Sequence, residues 1–148
     1  MKIIRAVFFI LLILVRLGPV SAAADDIVIV ANKNYPLSSI SLEELRKIYL
    51  GDIQFEGKFP ISPIDQSGSS HIRTKFVEKV LSMTKDEYTG LWLKKFFHKD
   101  AIPPVVKSSS TEVIDTVIQN NGSLGYIWSE ESHEDARIKV LLTIHIED

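Results

Sequence analysis

Phe59-Pro60-Ile61-Ser62-Pro63-Ile64-Asp65-Gln66-Ser67-Gly68-Ser69-Ser70-His71-Ile72-Arg73 carries three structural signals in fifteen residues. Phe59 to Ile64 reads as a strand, kept short or near an edge by Pro60 and Pro63. Asp65 to Ser70 is turn chemistry. Ile72, Phe76, Val77, Val80 and Leu81 then recur at helical spacing, which predicts a helix from His71 to about Ser82 with one buried face. A strand, a small-residue loop and a helix start in that order aim the N–H groups of Ser70, His71 and Ile72, several hydroxyls and the positive end of the helix dipole at one point, which is the chemistry of an anion site. Gly68 lets the backbone approach closely. Arg73 in the first helical turn opposes the dipole, a placement that makes sense beside an anion or a carboxylate. The candidate binding residues are therefore Ser67, Gly68, Ser69, Ser70, His71 and Arg73. On local pattern alone there is a plainer reading, with Ser69 or Ser70 as a helix cap and Arg73 as a solvated side chain.

On both sides of this stretch, elements alternate in type. Ile27 to Ala31 suits a buried strand closed by Asn32-Lys33-Asn34. Ser41-Leu42-Glu43-Glu44 is a capping box opening a helix whose Leu42, Leu45, Ile48 and Tyr49 share a face, and Gly51 stops it. Thr84-Lys85-Asp86-Glu87 is a second box, leading into an aromatic face of Tyr88, Leu91, Trp92, Phe96 and Phe97 that is expected in the core. Pro103 to Val106 cannot be helical and reads as a short strand. Ser109-Ser110-Thr111-Glu112 opens a helix with the stripe Val113, Ile114, Val117 and Ile118, ended by Gly122. Leu124 to Trp128 and Ile138 to Ile144 are the last strands, separated by the acidic, exposed loop Ser129 to Asp135. The order βαβααβαββ predicts an α/β fold, a single layered domain with a mixed sheet flanked by helices.

The chain begins Met-Lys-Ile-Ile-Arg, followed by the apolar run Ala6 to Val15, then Arg16 and Gly18-Pro19-Val20-Ser21-Ala22. This has the layout of a secretory signal over residues 1–22, cleaved after Ala22 and too short in its apolar part to span a bilayer. One domain, 23–148, is expected to remain, free in a periplasm and with no membrane insertion after signal removal. Loss of Lys2, Arg5 and Arg16 would take the net charge from −2 to −5. An acidic balance argues against nucleic acid as a partner. The chain has no cysteine, so neither a disulfide nor a lipoprotein anchor is expected. His71, His98, His133 and His145 show no metal-ligand spacing, and neither a metal nor another cofactor is expected. Gly68-Ser69-Ser70-His71-Ile72 lacks the second glycine of a hydrolase elbow, and His71 points away from Ser70 on a helix, so the chain does not read as an enzyme.

Several stretches together resemble the phosphate-binding periplasmic proteins of ABC importers, over Ile27 to Trp128. Leu42 to Gly51 is similar to that family's helix ending in Ile-Phe-x-Gly. Phe59 to Ile64 resembles the strand leading to its anion loop, and Ser67-Gly68-Ser69-Ser70 stands where the family has Asp-Gly-Ser-Gly-Thr. Gly122 to Ile127 resembles its Gly-x-Ile-Gly-Tyr-Val strand. The resemblance implies one lobe of a type II periplasmic binding fold. It also implies phosphate or a similar oxyanion as ligand on the Ser67–Arg73 loop, and an ABC permease or another envelope protein as partner. The chain departs from the family in two ways. Asp65 and Gln66 precede the loop where the family has an arginine, and the length suits one lobe rather than two. An alternative keeps the fold without a ligand, as a protein-interaction or sensory module of the cell envelope.

Overall fold

The computed structural model describes residues 25–147; the expected signal segment lies outside the described residues. Strand β1, Ile27–Asn32, is buried along its whole length. It lies between two other strands, so both of its faces and both of its edges are covered. Helix α1, Leu42–Tyr49, starts at the Ser41 capping box, where Glu44 N donates to Ser41 Oγ and Ser41 N donates to Glu44 Oε2. It buries Leu45, Ile48 and Tyr49. Gly51 follows at φ +77°, a left-handed conformation that ends the helix.

The single strand expected over Phe59 to Ile64 is in fact two pieces. Phe55–Glu56 (β2) and Phe59–Pro60 (β3) form a small hairpin, and Ser62–Gln66 (β4) belongs to the main sheet. The break falls at Ile61, whose N–H bonds to Gln54 O at 2.9 Å outside either ladder. Pro60 and Pro63, with no N–H to give, explain why no continuous ladder forms. Asp65 and Gln66, expected in the loop, are instead the buried end of β4.

Helix α2, His71–Lys75, runs on as a π-helical turn over Phe76–Val80. Ser82 at φ +56° closes the segment. Helix α3, Lys85–His98, starts at the complete Thr84–Glu87 box. Its Tyr88 and Trp92 are buried, but Phe96 and Phe97 are 60% and 77% exposed, against the expectation of a fully buried aromatic face. α3 packs on the π turn, and the sheet has no further strand beyond Val105–Lys107 (β5) to cover its last turn. Helix α4, Ser110–Gln119, has half of a capping box: Ser109 Oγ accepts from Glu112 N, while Glu112 Oε2 takes the N–H of Ser108. α4 ends at Gln119, before the expected stop at Gly122. Strands β6, Ser123–Trp128, and β7, Ile138–Ile144, complete the chain.

The sheet order is β5-β4-β6-β1-β7. β4 is parallel to β5 and β6, and β1 is antiparallel to β6 and β7. Alternation along β1 divides the core. Ile27, Ile29 and Ala31 pack with α1, the π turn and Tyr126, whereas Val28 and Val30 pack with Val113 and Val117 of α4. The result is a mixed sheet with helices on both faces. A Cβ on Gly125 would lie 2.5 Å from Val113 Cγ1, so the glycine is what lets α4 sit directly on β6. The carboxyl ends of β4, β5 and β6 meet at one end of the sheet, where the Ser67–Ser70 loop emerges.

Candidate functional site

Beneath that loop lies a polar cluster built by β4, β6 and the helices above them. The Asp65 carboxylate accepts from Tyr126 Oη at 2.5 Å and Gln66 N at 2.8 Å through Oδ1, and from Arg73 Nε at 3.0 Å through Oδ2. The Asp65 and Arg73 side chains are only 7% and 12% exposed. The Arg73 guanidinium carbon lies 5.4 Å from the centre of the Tyr88 ring, a cation–π placement. Gln66 Nε2 donates to Tyr126 O at 2.9 Å, and Tyr49 Oη to Ile64 O at 2.8 Å, so the end of β4 is held from both sides. Tyr126 stacks on Phe76 with ring centres 3.9 Å apart. Burial, followed by the negative charge of Asp65, pushes the Tyr126 and Tyr49 hydroxyls well above the ordinary tyrosine range. Tyr126 therefore stays a proton-bearing donor to Asp65.

The loop itself is more open. Ser67 N donates to Lys107 O at 2.9 Å, which ties the loop to β5, and Ser70 N donates to Ser67 O at 2.9 Å, which makes a turn. The Ser70 N–H, expected to be free, is thus occupied. Ser70 Oγ caps α2 by accepting from Arg73 N at 3.3 Å. Ser67 Oγ and Ser69 Oγ lie 3.1 Å apart. Gly68, Ser69 and His71 are exposed, and the His71 ring sits 6.0 Å from that of Trp128. The N–H groups of Gly68, Ser69, His71 and Ile72 have no acceptor among the described residues.

Of the six candidate residues, Ser67, Gly68, Ser69, Ser70 and His71 form one continuous rim, and Arg73 is directed to Asp65 behind it. Aspartate and arginine together contribute no net charge, so what the rim offers an oxyanion is hydrogen bonding: four backbone donors and two serine hydroxyls at a helix start. Asp65, Gln66 and Tyr126 support this loop and were missed as site residues. The available sequence signal was Gly125-Tyr126-Ile127 in a strand parallel to the one that feeds the loop.

The sequence matches no protein-family model and no curated protein. Solved structures do match. An ABC-type phosphate transport receptor from Vibrio cholerae superposes with a TM-score of 0.61 at 21% identity, over 79% of this chain and 45% of that one. PstS from Borrelia burgdorferi gives 0.60 and 21%, over 79% and 46%. A substrate-binding protein from Clostridium perfringens with bound phosphate gives 0.62 and 21%, over 79% and 44%. The chain has the fold of part of a phosphate receptor. It spans less than half the length of these receptors. Among the described residues no helix is long and apolar enough to cross a membrane.

Proposed function

We propose that this chain is a solute-binding-like protein of the periplasm, released there by removal of residues 1–22. It takes phosphate or a related oxyanion at the Ser67–Ser70 loop and the start of α2, as part of or beside an ABC phosphate uptake system. The observation that carries the reading is the set of unpaired N–H groups at Gly68, Ser69, His71 and Ile72, on a strand-to-helix turn in a fold shared with phosphate receptors. Arg73 serves the site by neutralising Asp65, which would otherwise repel an anion. Held by this lobe alone, the ligand would be wet and its contacts screened. The expected affinity is therefore of the order of 0.1 to 1 mM, or about 4 to 5.5 kcal/mol.

Amide resonances followed during titration with phosphate, sulfate and molybdate test this. Saturable shifts confined to residues 67–73 are expected, weakened about fivefold by Ser69→Ala for one lost hydrogen bond. No movement of those resonances well above a millimolar would overturn the reading. The neutral Asp65–Arg73 pair favours a second reading, a ligand-free interaction or sensory module on the same fold, which that result would put first.

A further inference from the structure

Among the described residues, every exposed large apolar side chain except Val140 gathers along the β5 edge of the molecule. The last two turns of α3 supply Leu93, Phe96 and Phe97; the connection to β5 supplies Ile102, and β5 itself supplies Val105 and Val106. A groove of about 320 Å³ between α3 and β5 is lined by Trp92, Phe96, Pro103 and Val106, and also by the paired Asp65 and Arg73. A second, of about 200 Å³, is lined by Phe55, Ile102, Pro103 and Val105. Pro103 borders both, so the apolar surface is continuous. Phe55, Leu93, Phe96, Phe97, Ile102, Val105 and Val106 are thus exposed side by side, whereas exposed apolar side chains on a monomer are normally scattered singly.

Charge and shape select the occupant. Between Leu93 and Lys107 the chain carries Lys94, Lys95, Lys99 and Lys107 against Asp100 alone, within a protein of net charge −2. Lys95 is engaged with Leu50 O and Asp52, whereas Lys94 and Lys99 are exposed at the patch margin. A second copy would bring like-charged rims together. Phe97 and Ile102 are 77% and 83% exposed, which means that they protrude. A protein partner needs a matching hollow for each, but a bilayer receives a protruding apolar side chain with no preformed counterpart.

We propose that this edge is a peripheral contact for an anionic phospholipid surface. Phe96, Phe97 and Ile102 enter the boundary between headgroups and acyl chains, and Lys94 and Lys99 lie among the phosphates. The inserting side chains lie outside the Ser67–Ser70 loop, although the groove beside them shares Asp65 and Arg73 with the cluster beneath that loop.

Co-sedimentation of the full chain with vesicles of mixed phosphatidylglycerol and phosphatidylcholine tests the proposal, with wild type and variants carrying the same N-terminus so that their difference reads this edge alone. Wild type is expected to bind the mixed vesicles and to lose binding in high salt or on pure phosphatidylcholine. Phe97→Ser and Ile102→Ser each weaken partitioning by about tenfold, and Lys94→Gln and Lys99→Gln by about fivefold each. All four sites are exposed, and unchanged melting curves check that the variants fold. Variants that partition as wild type, or a wild type that ignores the mixed vesicles, overturn the proposal. So does a dimer seen by sedimentation equilibrium and dispersed by Phe97→Ser, which would assign the edge to a second copy.

Discussion

Replacing Arg73 by methionine tests whether the ion pair under the loop is an internal anchor. The substitution keeps most of the side-chain length, and so the contact with the Tyr88 ring, while removing the Nε that meets Asp65 Oδ2 at 3.0 Å. Breaking a buried pair from one side costs about 3 to 5 kcal/mol, because it strands the other charge. Asp65 would still accept from Tyr126 Oη and Gln66 N, so the low end, about 3 kcal/mol, is expected. In a domain of this size that lowers the melting temperature by roughly 10 °C. Asp65→Asn keeps an acceptor for Tyr126 and sets an amide opposite Arg73, with a cost of about 2 kcal/mol. The double variant has no unpaired charge and should recover part of the loss, giving a coupling of at least about 1 kcal/mol in a urea-unfolding cycle. If Arg73→Met stays within about 0.5 kcal/mol of wild type, or the two losses simply add, the pair is not an anchor and Arg73 is available to a ligand.

All four tyrosines, Tyr35, Tyr49, Tyr88 and Tyr126, are buried and have raised hydroxyl pKa values, Tyr35 to about 12, with burial as the first cause. The folded state therefore holds protons that the unfolded state releases near pH 10, so stability is full below that pH and falls above it. Absorbance at the tyrosinate band should stay flat past pH 10 and then rise together with loss of circular dichroism; a gradual rise while the fold is intact would contradict the burial. Gly122→Ala would set a Cβ 2.2 Å from Pro60 O, and since neither backbone can yield without opening the Ser62 N to Gly122 O bond, a loss of about 2 kcal/mol or more is expected on chemical unfolding. Ser41→Ala should cost about 1 kcal/mol, as loss of an N-cap does, and an unchanged unfolding midpoint would mean that the box does not hold the start of α1.

Local signals in the sequence carried the element order well where they were chemically redundant. Ser41 with Glu44 and Thr84 with Glu87 each satisfy two donors reciprocally, and both helices begin where those pairs stand. β7 was readable to the residue from its apolar run. Legibility ended where partners are distant or absent. Phe96 and Phe97 continue the apolar pattern of α3, and periodicity cannot report that the sheet stops at β5 before reaching them. The partnership of Asp65 with Arg73 needs the turn between them to reverse the chain, and that of Asp65 with Tyr126 spans 61 residues. Ser67 to Ser70 could be placed on a loop from sequence, yet the occupation of the Ser70 N–H follows from a turn geometry that residue types alone leave open.

The position of β1 has a consequence for how the protein comes into being. Ile27 pairs with Trp128 on one side and Ile144 on the other, so among the described residues the first strand is the one that the last two must enclose. At about 5 to 20 residues per second, a ribosome needs roughly 6 to 20 seconds to supply those neighbours. Throughout that interval Val28 and Val30 have no sheet partner, and contacts of such long sequence separation close slowly even afterwards. The sheet therefore cannot close around its central strand until nearly all of the described residues have been made.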